Sequence, residues 1–558
     1  MIKIKNSIVL LMVFISFFSC KEVKHMPIRL DNKLLLKNKE LESLKDFKSW
    51  YLKDIEIDTV PGVSLQRAYD SLLINKKGKE VIIAVIDTEV DINHEELKNN
   101  IWINNDEIPN NQIDDDYNGY IDDINGWNFL GNLKGQNIIY SSTESVRIIR
   151  FYKNKFNNKK KEDVPVDKHE EFDLFIKAKT EYDKNIKRAK SDLEYGDFLF
   201  YGYPKAKEAM KNLFLREDYT PKELDSVYKK YKKINNPLAK HAYFISDFIK
   251  YNLTEDWVNN YKKNAENKIN TIYNLEYYDR KDIDENPSDI TFKNYGNPFI
   301  NKNINKLYHG TLIAGLISAD RDNHKGIKGI SNLLKIMPLA ISSNGTEHDK
   351  DVALAIKYAV DNGAKVINMS FGKELSLHKQ WVFDAIQYAE EKNVLIISSA
   401  GNLGKNLNSN DYFPNDNIKN GAEITDNFML IGSSSFNLNI KLLSYYSNYG
   451  DNDVDLFAPG QKIYTTLPNN KYKFESGTSL ASAITSGVAG LIRSYYPNLT
   501  APQIKHILMD SGLEYTLEVS TPTKEEKNKT TPFNQLSKSG KVLNAYNALI
   551  MADSISKN

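Results

Sequence analysis

Among 558 residues there is a single cysteine, Cys20. That excludes an internal disulfide, and no His/Cys spacing suited to zinc stands elsewhere. Stability must come from core packing, with at most some help from metal. A dominant charge is missing too. Lys and Arg number 74 against 73 Asp and Glu, a formal net charge of +1. Nothing in that balance points to nucleic acid as a partner. Beyond the N-terminus no apolar run is long enough to span a membrane. No internal repeat and no motif for an organic cofactor are found. Hydrophobic residues are 41% and charged residues 26%, which allows a sizeable core and argues against global disorder. The length suits one large domain with insertions or roughly two to four ordinary ones.

What is present begins at the N-terminus. MIKIKNSIVLLMVFISFFSCKE sets Lys3 and Lys5 ahead of an apolar stretch from Ile8 to Phe18. The stretch is short for a bilayer and has the layout of a secretory signal. It ends at Ser19-Cys20. A small residue before a cysteine at that point resembles a bacterial lipoprotein signal, although Phe17 stands where Leu is usual. The resemblance implies acylation of Cys20, which then becomes the first mature residue. It also implies a lipid anchor to a membrane of the bacterial cell envelope, with the protein facing the periplasm or the cell surface. An ordinary signal peptide with an incidental cysteine is the plain alternative.

Composition divides the rest. Residues 1–20 read as the signal and 21–50 as a tether with a first helix. Residues 51–130 have an α/β pattern: a helix near Ser64 to Leu73, the apolar strand VIIAVI at 81–86, then a loop rich in Gly, Asn and Asp. Residues 131–294 are dense in Lys, Tyr, Asn and Glu. VDKHEEFDLFIKAKTEYDKNIKRAKSDLEY there reads as charged helices with an apolar stripe. This part is a helical insertion, expected to restrict access to a cleft. From 295 to 550 strands and helices alternate: KIMPLAI, a helix near Asp351 to Asn362, AKVINMSFG, a helix near His378 to Lys392, NVLIISSAGN and NFMLIGSSS. That rhythm predicts a parallel sheet with helices on both faces.

Three segments carry the chemistry. Asp87 ends the strand at 81–86, at the edge where open α/β sheets place their sites. His309 opens YHGTLIAGLISA, whose small residues let a helix pack closely. Ser479 follows Gly477-Thr478 in ESGTSLASAITSGVAGLI and meets a helix N-terminus, which favours developing negative charge. Taken singly, each has a plainer reading: a turn aspartate, a structural histidine, a helix cap. Asp, His and Ser in that order, each in a small-residue frame, match the subtilisin order of a serine triad.

On AVIDTEVDINHEEL, HGTLIAG, VINMSFG, SSAGN, YYSNYG, VDLFAPG and GTSLASA, the chain resembles the subtilisin-like serine peptidases. It looks closest to a bacterial lipoprotein branch with a long insertion between Asp and His. SGKVLNAYNAL at 539–549 looks like the usual close of the domain. The resemblance implies a serine endopeptidase acting on polypeptides through an acyl-enzyme, as a monomer. Ser479 would be the nucleophile, His309 the base, Asp87 the group that orients the imidazole, and Asn402 an oxyanion donor. Ser370, Phe371 and Gly372 would pair with extended substrate, with Ser399, Ala400 and Gly401 also lining it. His94 is read as structural. The rival is a catalytically weak relative serving as a binding or scaffold lipoprotein.

Some positions depart from the family. Glu89 replaces the usual Gly and is expected to point outward to solvent; buried beside Asp87, it would push that carboxyl up. Leu312, Leu480 and Ala483 replace a usual His, Met and Pro. The stretch between Cys20 and the domain is short for the folding pro-domain of many secreted relatives. Finally, IDDDYNGYIDDINGW sets Asp114, Asp116, Asn118 and Asp122 at positions 1, 3, 5 and 9 with Gly119 at 6. That resembles the first part of a Ca²⁺ loop, though Asn125 stands where the bidentate Glu belongs. Ca²⁺ is the expected ion, and a solvated acidic loop is the alternative.

Overall fold

A computed structural model describes residues 25–30, 44–284, 286–293, 295–417, 423–523 and 525–557. Residues 1–20, where a signal and the acylated Cys20 were expected, lie outside the described residues. Among those described, no helix is long and apolar enough to cross a membrane.

Among the described residues, helices α1 (Leu44–Ser49) and α2 (Leu65–Ser71) precede β1 (Val81–Asp87). β2 is the short pair Trp127–Asn128. Helices α3 (Glu144–Phe156), α4 (His169–Phe214), α5 (Pro221–Tyr231), α6 (Asn236–Lys250) and α7 (Glu255–Asn267) follow. The α/β alternation then resumes with α8 (His309–Ser318), β3 (Leu334–Ala340), α9 (Asp349–Asp361), β4 (Val366–Met369), α10 (Lys379–Glu391) and β5 (Leu395–Ser399). β6 (Phe428–Ser434), β7 (Leu456–Pro459) and the hairpin β8 (Ile463–Leu467) and β9 (Lys471–Glu475) come next. Helices α11 (Thr478–Tyr495), α12 (Ala501–Ser511) and α13 (Ala545–Ser556) complete it.

One sheet organises the molecule. Its order runs β7-β6-β5-β4-β1-β3-β2, every neighbouring pair parallel. Lys541–Val542 and Leu513–Glu514 extend it beyond β7. The two faces can be read from one strand. Ile83 packs against Gly490 of α11, and its neighbour Ile82 points to Gly363 just past α9. Successive strand side chains face opposite ways, so α11 and α9 lie on opposite faces. α8 packs with α11, and α10 with α9. Burial on both faces explains why β1 reads as a continuous β-branched run. The expected parallel α/β sheet is therefore present.

The insertion is helical, as expected, but its central stretch is one helix of 46 residues, α4, with Pro204 inside it. α5 begins with a capping box, Thr220 with Glu223, and Pro221 at its first turn. Three apolar clusters form here, the smallest around Leu199, Phe248 and Val258. One joins Ile148, Phe156, Phe172 and Phe175 to Leu375 of the α/β unit. Another lies wholly within the insertion, around Met210, Leu224, Val227 and Ile245.

Candidate active site

The carboxyl ends of β1, β4 and β5, adjacent in the sheet, converge on one place, as open parallel sheets require. Asp87 is the last residue of β1. Ile341 and Ser342 donate their N–H groups to its carbonyl at 2.9 and 3.0 Å, and Thr88 N donates to its carboxylate at 2.7 Å. His309 Nδ1 lies 2.8 and 2.9 Å from the two carboxylate oxygens. A carboxylate only accepts, so Nδ1 carries the proton and Nε2 presents its lone pair. Gly310 N donates to Thr88 Oγ1 at 2.8 Å. A Cβ on Gly310 would lie 2.6 Å from the Thr88 carbonyl, so only glycine lets α8 start this close to β1.

Burial disfavours the imidazolium, but the Asp87 charge and hydrogen bond outweigh it. Glu347 and Glu475 add to that pull, and the His309 pKa is raised above 6.5. Glu347 was not singled out from the sequence; it lies in an exposed-looking loop, NGTEHD, with no periodic signal. Burial pushes its own carboxyl up.

Ser479 is the second residue of α11 and is 8% exposed. Its Oγ donates to the Ser370 carbonyl at 2.9 Å; no described hydrogen bond joins it to His309. Ser370 Oγ donates back to the Ser479 carbonyl at 3.0 Å and meets Ser482 Oγ at 3.0 Å. Asn368 Nδ2 donates to Ser370 Oγ and Ser486 Oγ donates to Asn368 Oδ1. A polar chain thus stitches α11 to the end of β4. Asn402 Oδ1 accepts from Thr478 N at 2.9 Å and Thr478 Oγ1 at 3.1 Å, which leaves its NH₂ free toward solvent.

Ser370, Phe371 and Gly372 follow β4 directly. Among the described hydrogen bonds none uses the backbone of Phe371 or Gly372, so an open edge remains there. Ala400 is different: its N–H goes to Ile431 and its carbonyl accepts from Asn448 Nδ2 at 2.8 Å. Ser399, Ala400 and Gly401 therefore form a wall rather than a pairing edge. His94 is fully buried, with Nδ1 accepting from Glu96 N and its ring edge-on to Tyr472, the structural placement expected for it.

Glu89 corrects the expectation that it faces water. It is fully buried. Its Oε1 accepts from Asn128 Nδ2 at 3.3 Å, Asn137 Nδ2 at 3.2 Å and Asn303 Nδ2 at 3.1 Å, and its Oε2 accepts from Asn303 N. Several amide donors solvate the charge in place of water. The carboxylate ties β2 to the segment that leads into His309. An inward acid ringed by distant asparagines leaves no local signal in the sequence.

The acidic loop also differs in detail. Glu107, Asp114 and Asp116 bring one carboxylate oxygen each within 4.8 Å of one another. Asp122 turns its oxygens to Asn111 N and Gln112 N, both at 3.1 Å. Asn118 Oδ1 accepts from Tyr120 N at 2.7 Å. Glu107 lies outside the window of the loop pattern, which is why it was missed. Among the described residues no Lys or Arg pairs with these three carboxylates, and all-oxygen donors fit a hard cation.

A parallel sheet that delivers an Asp–His pair and a helix-start serine to one edge defines a nucleophile site of the serine class. The subtilase family model matches residues 78–535, and the chain belongs to that family. It is similar to Subtilisin-like protease 3 of Plasmodium falciparum, 35% identical over 37% of this chain and 28% of that protein. It resembles the Cell wall-associated protease of Bacillus subtilis at 32% identity, over 41% of this chain and 24% of the relative. A Thermophilic serine proteinase of Bacillus sp. strain AK1 is 35% identical over 33% of this chain and 42% of its own length. The match thus spans less than half the length of each of these relatives. Among solved structures, a protease of Pseudoalteromonas arctica aligns at 26% identity and a TM-score of 0.35, covering 44% of this chain and 71% of that one.

Proposed function

We propose that this chain is a lipid-anchored serine endopeptidase of the bacterial cell envelope, from the lipoprotein branch of its family. The observation that carries the peptidase reading is the Asp87–His309 pair, 2.8 Å apart, at the same sheet edge where Ser479, at the start of α11, donates to the Ser370 carbonyl after β4. A peptide in extended form pairs with the open edge at Phe371 and Gly372. Ser479 Oγ leaves the Ser370 carbonyl by rotation about one bond and gives its proton to His309 Nε2 as it attacks the peptide carbonyl. Asn402 Nδ2 and the Ser479 N–H meet the oxyanion. His309 then protonates the leaving amine, and water hydrolyses the acyl-enzyme by the reverse sequence. Asp87 keeps the imidazole in the productive tautomer throughout. The loop carboxylates Glu107, Asp114 and Asp116 hold Ca²⁺ as a structural ion outside these steps. The insertion screens one end of the substrate edge. Membrane attachment runs through Cys20.

The test is labelling of wild type and Ser479→Ala with a fluorophosphonate, the modified peptide being mapped by mass. Label on Ser479, absent from the variant, is expected; a folded wild type that stays unlabelled sinks the reading. Fractionating the same cells tests the anchor: wild type should sediment with membranes and Cys20→Ser should be released.

A further inference from the structure

The two walls of the substrate edge carry glycines that face a common space, and that space is filled. A Cβ on Gly372 would lie 2.4 Å from both Cζ and the hydroxyl of Tyr412. A Cβ on Gly401, on the opposite wall, would lie 2.7 Å from the same two atoms. One aromatic ring therefore occupies the gap between the segment after β4 and the segment after β5. Tyr412 is 8% exposed, and Ser399 stands beside its hydroxyl.

The ring is held where it is. The next residue, Phe413, exchanges both backbone hydrogen bonds with Lys373, each at 2.8 Å. The Tyr412 carbonyl accepts from Asn415 Nδ2 at 2.7 Å. The plug is thus tied to the strand edge beside it. These walls lead directly to the reacting groups: Ser370 holds Ser479 Oγ, and Gly401 precedes Asn402. A carbonyl placed between Ser479 Oγ and Asn402 Nδ2 brings its own residue's side chain to the mouth of this gap.

Resting on the peptidase reading, we propose that Tyr412 closes the pocket for the residue that contributes the attacked carbonyl. The substrate class is then polypeptides cleaved after a small residue, Gly, Ala or Ser. Tyr412 touches no reacting atom; it is a specificity-determining residue. A larger side chain has to displace a buried ring anchored through its backbone, and close-packed interiors resist that.

The experiment uses the intact protein and a peptide series that differs only at that residue, alongside the fluorophosphonate label. For wild type, kcat/KM with Ala is expected to exceed that with Phe by about 100-fold or more, the scale a pocket's shape commonly sets. Tyr412→Ala should reverse the order, Tyr412→Phe should keep it, and Tyr412→Leu should fall between. Thermal melts separate loss of fold from loss of selectivity, and the wild-type preference stands as a test whether or not Tyr412→Ala folds. A wild type that takes the label yet turns over Phe as well as Ala overturns the inference and leaves the peptidase reading intact. A folded wild type that does not take the label overturns both.

Discussion

The α/β unit and the helical insertion are held together by different forces, and the contrast runs along the insertion itself. Around Ser479, buried serines and one asparagine bond in a continuous chain, Ser486 to Asn368 to Ser370 to Ser482. At the far end of the insertion the ion pairs lie in water: Lys211 and Glu217 are 3.1 Å apart, with side chains 62% and 46% exposed. The near end belongs with the core instead. Lys373, next to Gly372, meets Glu144 of α3 at 2.9 Å and Asp349 of α9 at 2.7 Å, all of them buried. Arg147 of α3 donates to the Thr346 carbonyl at 3.1 Å and the Glu347 carbonyl at 2.9 Å. Burial pushes the Glu144 carboxyl up, and Arg147 and Lys373 outweigh it to hold it below the usual range. The insertion is thus tied into the α/β unit at one end and packs on itself at the other.

That contrast breaks if the two ends respond alike to the loss of a lysine. Lys373→Ala takes the buried cation from Asp349, which among the described residues keeps only Ser376 Oγ and His378 N as donors, and one of two cations from Glu144, and should cost about 3–5 kcal/mol of stability. Lys211→Ala removes a solvated pair and should stay within about 0.5 kcal/mol. Denaturant melts of both variants decide it; equal, small losses would show that the near end is no better integrated than the far end. Within the α/β unit, Asn402→Ala also takes the acceptor from Thr478 N and Oγ1, so it should cost about 1–3 kcal/mol of stability and, in the folded protein, lower kcat by about 10²–10³, near 2.7–4 kcal/mol, the magnitude known for a subtilisin oxyanion asparagine. A variant with unchanged kcat removes Asn402 from the site. The acidic loop sharpens the comparison next. At about 100 times its dissociation constant, Ca²⁺ should stabilise the α/β unit by about 2.7 kcal/mol, a gain abolished in Asp114→Asn with Asp116→Asn. Melts with and without chelator should differ for wild type; identical melts count against the ion.

How much of this was legible in the sequence follows from range. β1 announces itself because burial on both faces demands an unbroken β-branched run, and Asp87 sits at its end. His309 and Ser479 are legible because close helix packing needs glycine at fixed offsets, such as Gly310 against the Thr88 carbonyl and Gly490 against Ile83. The charged stripe of α4 was readable as helix but not as a single helix. What stayed hidden is contact between residues far apart in the chain. Glu89 was expected in solvent because its amide partners are 39 to 214 positions away. Glu107 was missed for a different reason, since it lies seven residues ahead of Asp114 and so before the window of the calcium pattern, and Tyr412 reveals its position only through the two glycines it presses against.

The smallest expected effect is a displacement rather than a loss, and it concerns the place where both regions meet. The base in this mechanism is neutral His309, so activity falls as pH drops through its pKa in the free enzyme. Burial lowers that pKa; Asp87, and then Glu347 and Glu475, raise it by more, which puts the acid limb of kcat/KM above pH 6.5. Glu347 lies on the loop whose carbonyls Arg147 and Lys373 grip, so the insertion sets where its charge sits. Glu347→Gln removes one negative charge facing the imidazolium, which makes protonation less favourable. The limb should therefore move to lower pH, toward the ordinary histidine value, with the plateau rate little changed. Asp87 remains in place in that variant and keeps the tautomer fixed. A limb that stays put, or moves upward, would mean that Glu347 is already neutral across that range, as burial of its own carboxyl favours, and that the insertion's grip on this loop has no electrostatic reach to the base.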